Sequence, residues 1–174
     1  SNISDTFPTY AVGGTLHIIP EDKRLDLGWI RDYFNDNRVT HSDMTTQVGR
    51  QFAIQGGTKT LRFLCVGGEK LVPLDPPNFR VVNGYGPAEC TAYVTNFDVD
   101  RRYAEVPIGK PNANVKLFVC DSDGHLLPPN AVGELWIAGP QVCRGYLNRP
   151  EKTAEVFVRN PFADGRWSRA YRTG

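Results

Sequence analysis

Apolar residues recur along this chain in two different rhythms. Between about residues 15 and 83, short apolar runs alternate with stretches of helical spacing. Residues 15–19 (TLHII) form a brief apolar run closed by Pro20, which predicts a strand. Leu27, Ile30 and Phe34 recur at three- and four-residue intervals. Asp26 stands where a helix N-cap belongs, so a helix is expected over about 27–35. A second helix is expected over 45–53. Residues 61–66 (LRFLCV) are largely apolar and stop at Gly67-Gly68, the mark of a strand covered on both faces. Residues 80–83 predict the next strand, which runs into a glycine-rich turn. Strands separated by helical stretches imply a parallel sheet.

The second half changes rhythm. Residues 115–120 (VKLFVC), 133–138 (GELWIA) and 142–146 are short strand candidates. Turn chemistry separates them: DSDG at 121–124, Pro128-Pro129-Asn130 and Gly139-Pro140. Helical spacing returns only near 151–157. This half reads as an antiparallel sheet or small barrel. The expected class is therefore α/β, with a parallel-sheet subdomain over 1–98 followed by an antiparallel, barrel-like subdomain over 99–174. Neither an internal repeat nor a low-complexity tract is present.

Composition narrows the function classes. The chain has 174 residues, 40% hydrophobic and 22% charged, which suits a soluble globular protein of one domain or two small subdomains. Twenty basic residues against 19 acidic ones leave a formal charge of +1. Bulk charge thus offers no pull toward nucleic acid or an anionic membrane. No apolar run approaches the ~20 residues of a membrane helix, and no leader opens the chain, so a cytoplasmic location is expected. Cys65, Cys90, Cys120 and Cys143 form no CxxC pair, which argues against zinc and for free thiols acting as small apolar residues.

The stretch with most chemistry is 83–91, NGYGPAECT. It follows a buried strand, where open α/β sheets bind ligands. Gly84 and Gly86 let a backbone approach closely, Tyr85 offers a flat face for a base, and Glu89 a hard oxygen for magnesium. The same residues also suit a tight structural turn with a surface glutamate. The stretch is not a dinucleotide fingerprint, since Glu89 stands where the third glycine would be, and no GK[ST] follows to make a P-loop.

Three segments share one resemblance. NGYGPAE resembles the N-x-Y-G-P-T-E motif of adenylate-forming enzymes. GELWIAGPQVCRGYL at 133–147 resembles their later GELxIxGxxVARGYL motif. Tyr171-Arg172-Thr173-Gly174 resembles the start of Y-[RK]-T-G-D. They come in that family's order and at about its spacing, and GGTLHII and LRFLCVGGEKL also look like its core. Essentially the whole chain therefore resembles part of an adenylation domain of a nonribosomal peptide synthetase.

The resemblance implies a reaction and a set of roles. An amino acid and ATP give aminoacyl-AMP and pyrophosphate, and the acyl group then passes to the phosphopantetheine thiol of a carrier-protein domain. Tyr85 would stack on adenine, with Asn83, Gly84, Gly86 and Ala88 along the nucleotide and Gly67, Gly68 and Glu69 on its other side. Glu89 would hold Mg2+. Ser4, Asp43, Cys65, Gly67, Gly84, Ala92 and Tyr93 would line the amino-acid pocket. Asp43 could equally cap the helix that begins near Thr45. Two departures stand out. Ala88 replaces the family's threonine, whose lost hydroxyl would cost about 1.5–3 kcal/mol of bonding to a charged group. Cys143 replaces an alanine, small for small.

Other family parts fall outside these 174 residues: the phosphate-gripping loop, the aspartate after YRTG, the lid lysine and the aspartate that grips the substrate amine. The chain alone is accordingly expected to be inactive, and no catalytic residue is assigned within it. An acyl-CoA or aryl-acid synthetase fragment is one alternative, and a non-catalytic folding or interaction module another. His17, His41 and His125 are read as structural. Trp29, Trp136 and Trp167 are read as core or contact residues, Arg144 as a brace, and DSDG as a hairpin turn rather than a calcium loop.

Overall fold

A computed structural model of the chain describes residues 2–174, with side chains from Asp5 onward. Cα packing divides it into two compact units, Ser1–Tyr85 with Asn96–Lys110 and Gly86–Thr95 with Pro111–Gly174. The chain thus passes back and forth between them.

The first unit is built on a parallel sheet. Strands β1 (His41–Thr45), β2 (Phe63–Gly67) and β3 (Arg80–Tyr85) pair in parallel, and β4 (Thr95–Asp98) and β5 (Lys110–Pro111) extend the order to β1-β2-β3-β4-β5. A short helix, α1 (Asn2–Ala11), precedes it. Helix α2 (Leu27–Asp36) begins as expected at Asp26, whose carboxylate accepts the Trp29 N–H at 3.0 Å. It buries Leu27, Ile30 and Phe34, the apolar face read from the spacing. Helix α3 (Thr46–Gln55) adds Phe52 and Ala53, and both helices meet Leu64, Val66 and Val81 of the sheet in one core. At about 25 cal/mol per Å² of apolar surface, each such fully buried Leu or Phe contributes about 1.5–3 kcal/mol.

One expectation is corrected here, and one strand is added. Residues 15–19 form no strand. Thr15 and Ile18 are exposed, and no ladder pairs with the segment among the described residues. The apolar run was real, but a strand needs a neighbour to satisfy its backbone. Strand β1 was missed for the converse reason: HSDMT has no apolar run, yet it finds a full parallel partner in β2.

The second unit holds an open antiparallel sheet of order β6-β7-β9-β8, from β6 (Lys116–Cys120), β7 (Glu134–Ala138), β8 (Phe157–Arg159) and β9 (Arg169–Arg172). The antiparallel half was foreseen, but its outermost strands are not paired to each other, so no barrel closes among the described residues. Helix α4 (Pro150–Val156) starts with Pro150 in its first turn, where a missing N–H costs nothing. Cys120, Trp136, Ala138 and Ala170 form a core completed by Phe118, Val158, Phe162 and Trp167. DSDG is a turn: Asp121 Oδ1 accepts the Asp123 and His125 N–H groups, and the chain returns to bridge Leu126 to Cys120.

Residues 142–146, also expected to be a strand, are irregular. Their donors are spent elsewhere: the Cys143 N–H goes to the Glu89 carbonyl at 2.8 Å and the Tyr146 N–H to Thr153 Oγ1 at 2.9 Å. No helix among the described residues is long and apolar enough to cross a membrane.

Candidate functional site

The strand register brings several of the singled-out residues together in the first unit. Asp43 lies beside Cys65, and Cys65 beside Val82. Thr45 lies beside Gly67, and Gly67 beside Gly84. Because strand residues alternate in facing, Asp43, Cys65, Gly67, Val82 and Gly84 share one side of the sheet. Val66 and Val81 point to the other side, into the core with α2 and α3. Asp43, Cys65, Gly67 and Gly84 thus form two adjacent rows toward the carboxyl ends of β1, β2 and β3. Two of those four positions are glycine, so the sheet face there carries no side chain over two neighbouring strands. Asp43 sits inside β1, and the α3 cap position belongs to Thr45, which makes no side-chain capping bond.

The loop after β2 is tied to the start of α3. Thr46 Oγ1 donates to the Glu69 carbonyl at 3.2 Å, and the Glu69 carboxylate accepts from Gln47 Nε2 at 3.4 Å. Gly68 adopts φ +110, in a region that side chains disfavour, and the space a Cβ would occupy is open. Asn83 is buried at 5% exposure, and its amide donates to the Pro107 carbonyl at 2.9 Å. Tyr85, half-buried, ends β3. The side chain of Ser4 lies outside the described residues.

The second unit receives the rest of the motif. Gly86 is packed so tightly that a Cβ would stand 1.7 Å from the Ala92 carbonyl oxygen. Ala88 and Glu89 begin a single 3-10 turn that ends at Cys90. Ala88 is exposed and Glu89 half-buried. Thr91 follows at φ +72, an unusual conformation for a β-branched residue, and its hydroxyl donates to the Gln141 carbonyl at 2.8 Å. The Tyr93 carbonyl accepts from Asn112 Nδ2 at 2.9 Å. Ala92 and Tyr93 are both half-buried.

Glu89 is held by two residues to which the sequence assigned no such role. Tyr146 Oη donates to Glu89 Oε1, and the Cys143 N–H binds the Glu89 backbone carbonyl. The carboxylate, with burial and Tyr171, raises the Tyr146 phenol above its ordinary value. Burial, reinforced by Cys143 and Glu89, pushes the Cys90 thiol up to about 12. Tyr146 belongs to the RGYL end of the later motif, but a 57-residue separation gives no local signal of its partner.

A second hub fixes the end of β9. Glu134 accepts from Arg172 Nη2 at 2.8 Å and Nε at 3.1 Å, from Trp136 Nε1 at 3.1 Å and from the Gly174 N–H at 3.0 Å. The start of the GEL motif therefore anchors the YRTG segment.

An open cleft of about 1160 Å3 lies at the other ends of the strands, among Arg38, Lys59, Arg62, Arg80 and Asp98. Volume alone does not make it the site, because parallel sheets bind ligands at the carboxyl ends of their strands.

Known proteins resemble this chain along nearly its whole length. Bacitracin synthase 1 of Bacillus licheniformis is 42% identical over 98% of this chain, which spans 3% of that protein. Surfactin synthase subunit 2 of Bacillus subtilis (strain 168) is 38% identical over the full chain, which spans 5% of it. The solved nonribosomal peptide synthetase FmoA3, known also in an AMPPNP-bound form, superposes with a TM-score of 0.85 at 30% identity, over 99% of this chain and 20% of that one. The family model for the AMP-binding enzymes matches residues 1–147, and the chain belongs to that family.

Proposed function

We propose that this chain is the nucleotide- and amino-acid-facing part of an adenylation domain in a nonribosomal peptide synthetase. The whole protein would join an amino acid to ATP, giving aminoacyl-AMP and pyrophosphate, and pass the acyl group to a carrier-protein thiol. The observation that supports this most is the bare sheet face at Gly67 and Gly84, flanked by Asp43 and Cys65 and running directly into Tyr85. A carboxylate at the margin of such a face suits an amine or polar substrate side chain. The adenine would stack on Tyr85, with Gly67, Gly68, Glu69, Asn83, Gly84, Gly86 and Ala88 along the nucleotide. Asp43, Cys65, Gly67, Gly84, Ala92, Tyr93 and Ser4 would surround the amino acid.

Glu89 fits a magnesium ion. It is a half-buried carboxylate with one oxygen engaged by Tyr146, and its second oxygen has no partner among the described residues. Mg2+ favours one or two carboxylates together with substrate phosphates. When bound, the ion would offset the phosphate charge. The protein's own share is positioning and electrostatics. Ala88 supplies no hydroxyl to the phosphates, so that contact falls to backbone or water.

The test is calorimetric titration with ATP·Mg2+ and AMP, beside amino-acid-dependent pyrophosphate exchange by the full adenylating protein offered amino, aryl and fatty acids. Binding that disappears in Tyr85→Ala, with exchange supported only by amino acids, is the expected result. Exchange with fatty or aryl acids instead would move the protein to the acyl-CoA or aryl-acid synthetases. A folded protein that binds no nucleotide would make it a non-catalytic module.

A further inference from the structure

The 141–153 segment makes contacts that a strand or a plain loop does not require. The Cys143 N–H holds the Glu89 carbonyl at 2.8 Å, Gln141 offers its own carbonyl to Thr91, and Tyr146 reaches the Glu89 carboxylate. Tyr146 is itself held from two sides. Its N–H donates to Thr153 Oγ1 at 2.9 Å, while that hydroxyl donates to the Arg149 carbonyl at 2.8 Å at the start of α4. Its ring meets Phe157 edge to face, with centroids 5.6 Å apart. Gly145 lets the loop press onto α4: a Cβ there would stand 2.3 Å from Thr153 Cγ2. The phenol is thus fixed by α4 and β8, independently of Glu89.

We propose that Tyr146 is a positioning residue for Glu89, whose carboxylate it orients so that the second oxygen faces the bound metal ion. This rests on the adenylation reading above. The chemistry favours a phenol for such a task. A carboxylate has about four lone-pair sites, so one hydrogen bond leaves capacity for an ion. A neutral donor also keeps the full negative charge available, whereas Lys or Arg would compete with the cation. Among the described residues no lysine or arginine hydrogen-bonds the Glu89 carboxylate. Partners of this outer-shell kind tune metal affinity by setting the ligand's orientation.

The experiment uses the full adenylating protein with Mn2+ standing in for Mg2+. Free Mn2+ is followed by electron paramagnetic resonance in the presence of AMPPNP, for wild type, Tyr146→Phe, Glu89→Gln and the double variant. Phenylalanine keeps the packing on Phe157, and melting temperatures monitor the fold. Tyr146→Phe should weaken Mn2+ binding about tenfold. It should leave metal-free nucleotide affinity unchanged and add nothing further once Glu89 is Gln. A purely structural tyrosine would lower the melting temperature and leave Mn2+ affinity in place, which overturns the proposal. An equal loss in the Glu89→Gln background overturns it too, even where the single variant is less stable, because the coupling would then not run through Glu89. Loss in Glu89→Gln with none in Tyr146→Phe removes the tyrosine's role and leaves the metal reading standing. No loss in Glu89→Gln removes both.

Discussion

Single positions in this chain are constrained by close approach more than by chemistry. Gly86 is the sharpest case, since the Ala92 carbonyl already occupies the space of a Cβ. Gly86→Ala forces backbone to move and should cost about 2–3 kcal/mol, read as a lower urea midpoint at unchanged slope. It should also displace Ala88 and Glu89 and so weaken nucleotide-dependent Mn2+ binding. The cysteines make a second case. Cys65, Cys90 and Cys120 are buried, and burial raises the Cys90 and Cys120 thiols. Cys143 is half-buried. Since the thiolate is the nucleophile, iodoacetamide at mild alkaline pH should modify Cys143 first, with mass spectrometry locating the adduct. Glycine spacing and cysteine type were both legible in the sequence. The 57 residues between Glu89 and Tyr146 were not bridged by any local pattern.

Helices α2, α3 and α4 obeyed their local signals, whereas α1, with Pro8 inside it, and several strands did not. Asp26 and the Leu27, Ile30, Phe34 spacing foretold α2 because cap and apolar stripe are both short-range features. Asp26→Ala should cost about 1 kcal/mol in thermal or urea unfolding. Strands answer to partners. Residues 15–19 and 142–146 had the composition and lack a ladder, while polar β1 has one. The Glu134 hub joins β7 to β9 and makes a pH-dependent element. Burial pushes its carboxyl upward, but the bonds from Arg172, Gly174 and Trp136 outweigh burial and hold it below the ordinary 4.5. A depressed carboxylate stabilises the fold above its unfolded value and loses that contribution as the folded group protonates. The protein should therefore lose stability as pH falls below about 4.5. In Glu134→Gln that part of the acid dependence should flatten, which melting temperature against pH would reveal.

Across the molecule, protection should follow the cores of the two units. Amides of Leu64, Val66 and Val81, on strands packed beneath α2 and α3, should exchange slowest with deuterium. Residues 15–19, although apolar, should exchange among the fastest, because no ladder covers them. Rapid exchange throughout β2 and β3 would contradict the described core. Composition, the two apolar rhythms and three motifs in order were enough to place the chain among α/β proteins and point to its family. Those properties are written locally, in spacing of a few residues and in side chains that stack, coordinate or turn. Strand partnership is different, since it depends on backbone groups that meet across long stretches of chain. Tertiary structure therefore settled the register that sets Gly67 beside Gly84, the open edges of the second sheet and the grip of Tyr146 on Glu89. Hydrogen bonding between distant backbones and side chains leaves no periodic trace in the residues that perform it.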